Sequence, residues 1–261
     1  MSRTRHAFLF DEHGHRIAEM AGGSWDFDHG HVISRHSHLE DQLLFASQGV
    51  MTVETEEGIW VVPPLRAVWI PAEIAHGVAM SGHVSMRTLY TLPKLFKTVP
   101  RRCQVINISS LLRELILHAC QFRKLRLKVP AERHVIDLIR DQMKLVQSIP
   151  VQLPHPRDPR AKKLADRLRA NPCEQRSLEA LSMECGASKR TMQRLFAEES
   201  GLSFSRWRQQ ARLIHALQTL AAGQSVTNAA LDAGYSTTSA FISMFRKQLG
   251  TTPSRYLSAP E

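Results

Sequence analysis

Three histidines in the N-terminal half have the residue type and spacing of a metal or ligand site. His36 and His38 are one residue apart, so on a β-strand their side chains share one face, and His76 follows a second β run. Three converging imidazoles can bind a divalent metal ion such as zinc or nickel. They can also form hydrogen bonds inside a barrel or contact an organic effector. The spacing alone leaves these alternatives open.

The C-terminal third holds residues of the types that recognise DNA. Met192, Leu195 and Phe196 follow the i, i+3, i+4 spacing of a helix and are predicted to be its buried side. Ser188 is placed to cap the start of this helix. The residues that then face outward are Lys189, Arg190, Thr191, Gln193 and Arg194. Such side chains bind base edges in the major groove and backbone phosphates.

A second helix of the same kind follows, with a less charged face. Thr237 is placed to cap it. Its predicted buried side is Phe241, Met244, Phe245 and Leu249. The residues that remain outside are Thr237, Thr238, Ser239, Ile242, Ser243 and Arg246. Because only Arg246 among them is charged, we expect this face to recognise DNA less by charge than the first.

Charge is unevenly distributed along the 261 residues, which carry a net +10 with neutral histidines. Residues 1–92 hold 6 Lys/Arg against 11 Asp/Glu, together with 9 of the 13 histidines. Residues 93–156 hold 12 against 4, and residues 157–261 hold 16 against 9. We therefore expect a polyanion such as nucleic acid to bind the C-terminal half. A hydrophobic fraction of 43% rules out a disordered or fibrous chain.

The elements that must position the histidines are short β runs followed by helices. The β runs are predicted at Gln42–Ser47, Val50–Thr55, Ile59–Val62, Ala67–Ile70 and Met86–Leu92, a spacing typical of a small sandwich or barrel. From Ile108 onward the spacing becomes helical. The first predicted helical stripe is Leu111, Leu112, Leu115, Ile116 and Ala119, and the second is Val135, Leu138, Ile139, Met143 and Val146. The first stripe can pair with its copy in a second subunit or pack on its own barrel.

The C-terminal third is internally repeated. A shift of 48 residues lays Ser177, Leu178 and Gly186 over Ser225, Val226 and Gly234, and a shift of 49 lays Phe196 and Gly201 over Phe245 and Gly250. In each copy a short helix ends near a glycine and a second helix follows, which predicts two helix-turn-helix units. Between them, residues 204–222 predict one amphipathic helix, roughly 28 Å long at ~1.5 Å per residue. Its predicted apolar side is Leu213, Ile214, Leu217, Leu220 and Ala221.

These motifs resemble those of the AraC/XylS transcription regulators. The segment from Gly234 to Tyr256, GYSTTSAFISMFRKQLGTTPSRY, is similar to that family's second helix-turn-helix signature, and CGASKRTMQRLF, which starts at Cys185, is similar to the first. The resemblance covers about 100 residues, from 158 to 257. It implies a seven-helix DNA-binding domain with recognition helices at 189–199 and 238–249. The residues it would place on bases or phosphates are Arg190, Gln193, Arg194, Ser239, Ser243 and Arg246.

The front half resembles the cupins. Residues 30–49 are similar to the first cupin motif and residues 71–76 to the second. Gln42 stands where metal-binding cupins usually place Glu, and Leu65 and Glu73 stand where the second motif expects Gly. The resemblance implies a ligand-sized cavity, for which the candidate lining residues are His36, His38, Gln42, Trp69 and His76, with Trp60 as a further candidate. Both tryptophans can equally be core. Glu40 and Asp41, beside His38, can support the histidines as hydrogen-bond partners or lie in solvent, and we expect solvent.

The combined prediction is an α+β chain of two domains, a cupin β-barrel with trailing helices and an all-α domain with two helix-turn-helix motifs. We place the sensor barrel at 1–92, a helical connector and dimerisation region at 93–150, a proline-rich linker at 151–157 and the DNA-binding domain at 158–257. Four prolines within residues 149–159 support the linker.

The function predicted from both halves is a sequence-specific transcription regulator that responds to an effector. Its expected partners are double-stranded promoter DNA, a small-molecule or metal effector, a second copy of the chain and, for an activator, RNA polymerase. No apolar run is long enough to span a membrane, and four cysteines without a CxxC pair are typical of a reducing cytoplasm. The alternative is a metal-dependent cupin enzyme with a helical appendage, for which the three histidines are the support.

Overall fold

The computed structural model describes residues 5–6, 8–64, 66–93, 95–97, 99–146, 148–149 and 152–257. These residues fall into two compact units. The first lies within 1–55 and 60–150, and the second within 56–59 and 151–261. Each unit is described by itself below.

The first unit is built on β-strands. The described strands of the chain are β1 (Arg5–His6), β2 (Met20–Phe27), β3 (Val32–His38), β4 (Asp41–Glu54), β5 (Gly58–Val62), β6 (Arg66–Ile70), β7 (His76–Thr91), β8 (Gln104–Asn107), β9 (Lys124–Leu125), β10 (Ser148–Ile149) and β11 (Gln152–Pro154). All of them belong to the first unit except β5, which begins in the second unit, and β11, which lies in the second unit. The predicted runs at 42–47 and 50–55 form one strand, β4, whose register shifts near Gln48. The predicted runs do not include β3, because its polar sequence, VISRHSH, lacks an apolar alternation, although the spacing of His36 and His38 is interpreted on a strand.

Strand β7 joins the parts of the sheet. Along one edge it pairs antiparallel with β4 from Asp41↔Thr91 to Glu54↔Gly77. Along the other edge its first residues pair with β3 and its last residues with β2. The sheet continues from β4 through β6 to β8, with all of these pairs antiparallel. One long strand therefore places the start of β7 directly beside the end of β3.

The two faces of this sheet bury two separate cores. In β4, Leu43 and Phe45 belong to one apolar cluster and Leu44 and Ala46 to another, because side chains alternate along a strand. The first cluster also contains the buried side chains of the helices α1 (Ser110–Phe122) and α2 (Pro130–Lys144). The sheet thus has one face covered by helices and one face turned to its own interior.

The helices confirm most of the two predicted stripes and correct two positions. Leu112, Leu115, Ile116 and Ala119 of α1 are buried against the sheet, whereas Leu111 is 51% exposed. On α2, Val135, Ile139 and Met143 are buried as predicted and Ile136 is buried in addition, whereas Leu138 is 49% exposed. Leu111 and Leu138 lie in the predicted apolar stripes but do not pack on the sheet.

The second unit is helical. Seven helices occur among the residues described there, as the resemblance implies: α3 (Pro159–Ala170), α4 (Leu178–Glu184), α5 (Lys189–Ser200), α6 (Phe204–Ala221), α7 (Val226–Asp232), α8 (Thr238–Leu249) and α9 (Pro253–Leu257). The sequence repeat is a structural repeat, since α4 and α5 correspond to α7 and α8. Both long helices of the repeat end at a glycine in the left-handed region, Gly201 with φ +70° and Gly250 with φ +79°.

Helix α6 buries more residues than the one apolar side that the sequence predicted. Besides Leu213, Ile214, Leu217 and Leu220, its buried residues include Phe204, Trp207, Ala211 and Ala216, while Ala221 is only partly buried. The indole Nε1 of Trp207 donates to the carbonyl oxygen of Pro154 in β11 at 2.8 Å. The proline-rich segment predicted as a linker therefore contains a short strand that is tied to α6. None of the described helices is long and apolar enough to cross a membrane.

The contact between β2 and α1 depends on a glycine. A Cβ at Gly22 would lie 2.6 Å from Cα of Cys120 and 2.7 Å from the carbonyl oxygen of Ala119, both backbone atoms of α1. We expect Gly22→Ala to lower the free energy of unfolding by about 1–3 kcal/mol, the usual cost of overpacking. Thermal and urea unfolding of the full chain measures this loss.

The matched control is the neighbouring Gly23→Ala. There the three atoms nearest to an added Cβ all belong to the ring of Trp25, a side chain that is 42% exposed and has room to move. Equal stability of the two variants would show that α1 can shift from β2 at little cost.

Candidate functional site

The three predicted histidines meet at one place in the first unit. His36 and His38 lie on β3, and His76, the first residue of β7, is the register partner of His36. The ring centroid of His76 lies 4.5 Å from that of His36 and 5.1 Å from that of His38. One ligand nitrogen from each of the three lies within 4.8 Å of the others. Pairing of β3 with β7 thus brings residues 40 positions apart in sequence into one cluster.

Each imidazole is oriented by a backbone carbonyl. The Nδ1 atom of His36 lies 2.9 Å from the carbonyl oxygen of Ser34, that of His38 2.7 Å from Glu40, and that of His76 2.9 Å from Ile74. A carbonyl can only accept, so Nδ1 carries the proton and Nε2 presents its lone pair. Metal-binding histidines are commonly oriented in this way.

Burial keeps two of these rings neutral. It lowers the pKa of His76 from 6.5 to about 3, and it also lowers the pKa of His38. The Nε2 atom of His76 is buried and has no hydrogen-bond partner among the described residues. A buried lone pair without a donor is costly, so this atom fits a cation or a ligand that donates to it.

Gln42 completes the cluster. Its Oε1 atom lies 3.1 Å from Nε2 of His38, and its Nε2 atom donates to Oγ1 of Thr88 at 3.0 Å and to the hydroxyl of Tyr90 at 3.2 Å. The two hydroxyl groups therefore hold the amide with its oxygen toward the histidines.

A cavity of about 420 Å³ opens beside the cluster. His36, His76 and Gln42, predicted to line a ligand cavity, contribute to its wall. The other lining residues are Phe8, Trp25, Phe27, Ile33, Ser34, Arg35, Leu44, Val78, Met86 and Tyr90. Sequence reasoning missed these, although the alternation of Leu44 with the buried Leu43 gave a signal for the interior face. The ring of Tyr90 is stacked on that of Phe8, with centroids 3.8 Å apart.

Trp69 does not line this cavity, which corrects the prediction for it. Its strand neighbours Val68 and Ile70 face the interior cluster, so alternation sends Trp69 to the face covered by α1 and α2. There it packs edge to face against Phe96 at 5.6 Å. Trp60 is buried in the interior cluster and is likewise absent from the cavity wall.

Glu40 and Asp41 are buried, so the expectation that they lie in solvent was wrong. Oε1 of Glu40 accepts hydrogen bonds from the backbone N–H groups of Phe8 and Leu9 at 2.8 and 3.2 Å. Oδ1 of Asp41 accepts from the backbone N–H of Ala72 at 2.8 Å. Both carboxylates therefore bind backbone segments around the cluster, which a sequence without contacts does not reveal.

One departure from the cupin motif is accommodated by the backbone. Glu73 stands where Gly was expected and adopts φ +68°, the left-handed conformation that Gly favours. Its backbone N–H donates to the carbonyl oxygen of His38 at 2.9 Å. The turn before His76 thus keeps its form without the glycine. Leu65, the other departure, lies outside the described residues.

The second candidate site is the exposed face of α5. Oγ of Ser188 accepts a hydrogen bond from the backbone N–H of Thr191 at 3.1 Å, which confirms the predicted cap. Met192, Leu195 and Phe196 are buried as predicted. The residues predicted to face outward are exposed or, for Thr191, half-buried: Lys189, Arg190, Thr191, Gln193 and Arg194.

Helix α8 repeats this arrangement. Oγ1 of Thr237 accepts from the backbone N–H of Ala240 at 3.2 Å, and Phe241, Met244 and Phe245 are buried, while Leu249 is only partly so. The outward residues are exposed except for the partly buried Thr238 and Ile242: Thr237, Thr238, Ser239, Ile242, Ser243 and Arg246.

Among the described residues, some cations of α5 and α8 are unpaired, as are Lys162 and Lys163 of α3, whereas other cations of the unit are paired. Arg160, Arg167 and Arg176 form ion pairs with nearby carboxylates. Lys189 and Arg190, in contrast, have no carboxylate within ion-pair distance in the part of the chain that the structure describes, and neither has Arg246. Arg194 pairs with Glu198 one turn away at 2.7 Å. The unpaired cations are available to an external anion.

Both halves match known families. A family model described as an AraC-like ligand binding domain matches residues 18–148, and one described as a helix-turn-helix domain matches residues 181–259.

Curated relatives are transcriptional regulators. The HTH-type transcriptional regulator NimR of Escherichia coli is 35% identical over 223 residues, which are 85% of this chain and 81% of that protein. The HTH-type transcriptional regulator RipA of Corynebacterium glutamicum is 40% identical over 104 residues, 40% of this chain and 31% of that protein.

Among solved structures, fatty-acid-bound ToxT of Vibrio cholerae is 13% identical, with a TM-score of 0.39 over 95% of this chain and 100% of that one. The DNA-binding domain of AdpA in complex with a target DNA is 26% identical, with a TM-score of 0.35 over 40% of this chain and 90% of that one.

The neutral state of His76 predicts a loss of stability in acid. Its pKa is about 3 in the folded chain and near 6.5 in the unfolded chain, so between these values the unfolded chain binds more protons. Stability therefore falls as the pH drops from 6.5 toward 3, by at most about 1.4 kcal/mol per pH unit for this one group. Urea unfolding of the metal-free full chain at pH 7 and pH 5 measures the slope.

His76→Gln should reduce this slope, because glutamine does not titrate. The matched control is His134→Gln, at an exposed position of α2. A slope that His76→Gln leaves at the wild-type value would mean that the ring is not held neutral.

Proposed function

The chain belongs to the AraC family of transcription regulators, and on that premise we propose which of its residues bind DNA and which bind the effector. Family membership makes it a DNA-binding transcription regulator in which a ligand-binding domain precedes a helix-turn-helix domain. The observation that carries the assignment of residues is the pair of equivalent capped helices, α5 and α8, each with an exposed polar face.

We assign DNA contact to the outward residues of these two helices. Their N-terminal turns carry hydroxyl groups, amides and unpaired cations, which suit base edges and phosphates. Helix α6 between them has 18 residues, about 27 Å at ~1.5 Å per residue. Successive major-groove faces of one duplex are ~34 Å apart, so one chain could read two adjacent turns. The proposed contact residues are Ser188, Lys189, Arg190, Thr191, Gln193, Arg194, Thr237, Thr238, Ser239, Ser243 and Arg246.

We assign effector binding to the cavity beside the histidine cluster. Within it, Nε2 atoms of His36, His38 and His76 are proposed to hold a divalent metal ion. The oriented Nδ1 atoms and the unpartnered Nε2 of His76 support this fit. A metal ion bound there would supply a Lewis-acidic position for a ligand in the cavity.

The remaining partners are proposals that follow from this role. A second copy of the chain would pack on the exposed apolar side chains of α1, of α2 and of the residue that follows α2, namely Leu111, Phe122, Leu138 and Leu145. The buried stripe that contains Leu115 is already used against the sheet. RNA polymerase would be contacted if the protein activates transcription, and the site of action would be the cytoplasm, where promoter DNA lies.

Family membership favours a regulator over the alternative of a metal-dependent cupin enzyme. In a regulator the exposed faces of the two capped helices would contact DNA, whereas the enzyme would have no role for them.

Arg190 provides a test of the DNA interface. Arg190→Ala should weaken binding to a selected promoter site by about 1–3 kcal/mol, roughly 5- to 150-fold, and relax specificity at the base it contacts. Electrophoretic shift and footprinting with the full chain at a stated salt concentration measure this change, after genome-wide binding has identified the site.

The matched control is Lys163→Ala, which removes an exposed cation from α3, outside both helix-turn-helix motifs. Unchanged affinity of Arg190→Ala for the selected site would show that α5 does not enter the groove where we place it.

The dimer proposal predicts that Leu111→Glu combined with Leu138→Glu yields monomers in sedimentation velocity, because two charges would be buried at the interface. Leu231→Glu, at an apolar position of α7 that is 56% exposed, is the control and should leave the dimer intact. A dimer that survives the double substitution would place the interface elsewhere.

A further inference from the structure

The amide of Gln42 is held as a fourth donor to the histidine cluster. Its oxygen and the carbonyl oxygen of Glu40 lie on opposite ring nitrogens of His38, at 3.1 and 2.7 Å. Because Nδ1 donates to the Glu40 carbonyl, Nε2 turns its lone pair toward the Gln42 oxygen. With the Gln42 amino group bound by Thr88 and Tyr90, its oxygen and Nε2 of His38 are two acceptors 3.1 Å apart. A cation bound beside both atoms would relieve the repulsion between their lone pairs.

This donor set contains no negative charge. Three imidazoles and one amide are neutral ligands, whereas a carboxylate in place of Gln42 would cancel one charge of a divalent cation. A bound divalent cation would therefore keep a formal charge of +2 in a partly buried site. At short range such a charge attracts an anion strongly, because the surroundings screen it less than water does.

The charges around the cavity add to this preference. Its lining includes Arg35 and contains no Asp or Glu. The buried carboxylate of Glu40 is not part of the lining, and its Oε1 is bound by the backbone of Phe8 and Leu9. Its Oε2 has no hydrogen-bond partner among the described residues, and its charge acts on His38 and Tyr90. The histidine and amide end of the cavity is thus positive when loaded and has no carboxylate on its wall.

The rest of the wall is apolar and aromatic. It includes Phe27, Leu44 and Met86, together with Phe8 stacked on Tyr90. A volume of about 420 Å³ suits a small organic molecule with one polar end.

We propose that the effector is a small organic anion, such as a carboxylate on an apolar or aromatic body, whose oxygen binds the cation held by His36, His38, His76 and Gln42. This inference rests on the effector and metal assignments of the proposed function. Replacement of the usual Glu by Gln42 is what sets the preference for an anion.

Cobalt(II) tests the proposal, because its visible spectrum reports coordination. The full chain is loaded with cobalt(II) and titrated with benzoate and with benzamide, a neutral probe of nearly the same shape. We expect benzoate to change the spectrum and to bind at least about tenfold more tightly than benzamide. Equal binding of the two probes, or no cobalt binding by the histidines, would overturn the proposal.

Substitutions at Gln42 separate the charge from the shape of the site. Gln42→Glu should bind cobalt(II) more tightly and benzoate about tenfold more weakly, since one negative charge is added. Circular dichroism checks that the variant is folded. If Gln42→Glu does not fold, Arg35→Gln, at an exposed position of the cavity wall, is used in its place. It should weaken the binding of benzoate but not that of benzamide. His118→Gln, at an exposed position of α1, is the control for both metal and probe binding.

DNA binding by the same preparations shows whether the anion proposal alone fails or the regulator assignment fails with it. A chain that binds its promoter site but shows no preference for benzoate retains the regulator assignment and overturns only the anion. A folded variant with benzoate affinity equal to wild type while cobalt(II) stays bound would show that Gln42 does not set the charge of the site.

Discussion

Side-chain alternation in a sheet that is buried on both faces is the constraint on which the N-terminal unit depends. Along β4, Leu43 and Phe45 pack under α1 and α2, while Gln42 and Leu44 point to the interior. The same strand therefore anchors the helices and forms the wall of the cavity. A shift of one residue in its register with β7 would exchange the two sets and remove both the helix-binding face and the pocket.

The pairing of β3 with β7 depends on that register as well. It brings His36 opposite His76, and the turn that ends at His76 is closed by the hydrogen bond from Glu73 to the carbonyl oxygen of His38. Backbone carbonyls then orient all three rings. The geometry of the cluster is thus set mainly by the main chain, which explains why the site tolerates Gln42 and Glu73 at positions where the cupin motif has other residues.

The C-terminal unit is organised around α6 instead of a sheet. At the start of α6, Phe204 and Trp207 pack edge to face against Phe196 of α5. Tyr256 of α9 packs in the same way against Phe245 of α8. These contacts are related by the internal repeat. Helices α5 and α8 are therefore each held by their buried side, and their outer faces are exposed.

The sequence by itself determined the class of both domains, the two capped helices α5 and α8 and the three clustered histidines, because these depend on local spacing, capping and periodicity. It did not determine that Trp69 faces the helices, that Glu40 and Asp41 are buried, or that Leu111 and Leu138 are exposed. Those outcomes depend on which strand pairs with which and on which stripe of each helix reaches the sheet. Only the tertiary structure decides such matters, since the free energy of burial is shared among residues distant in sequence, such as Gln42, Thr88 and Tyr90.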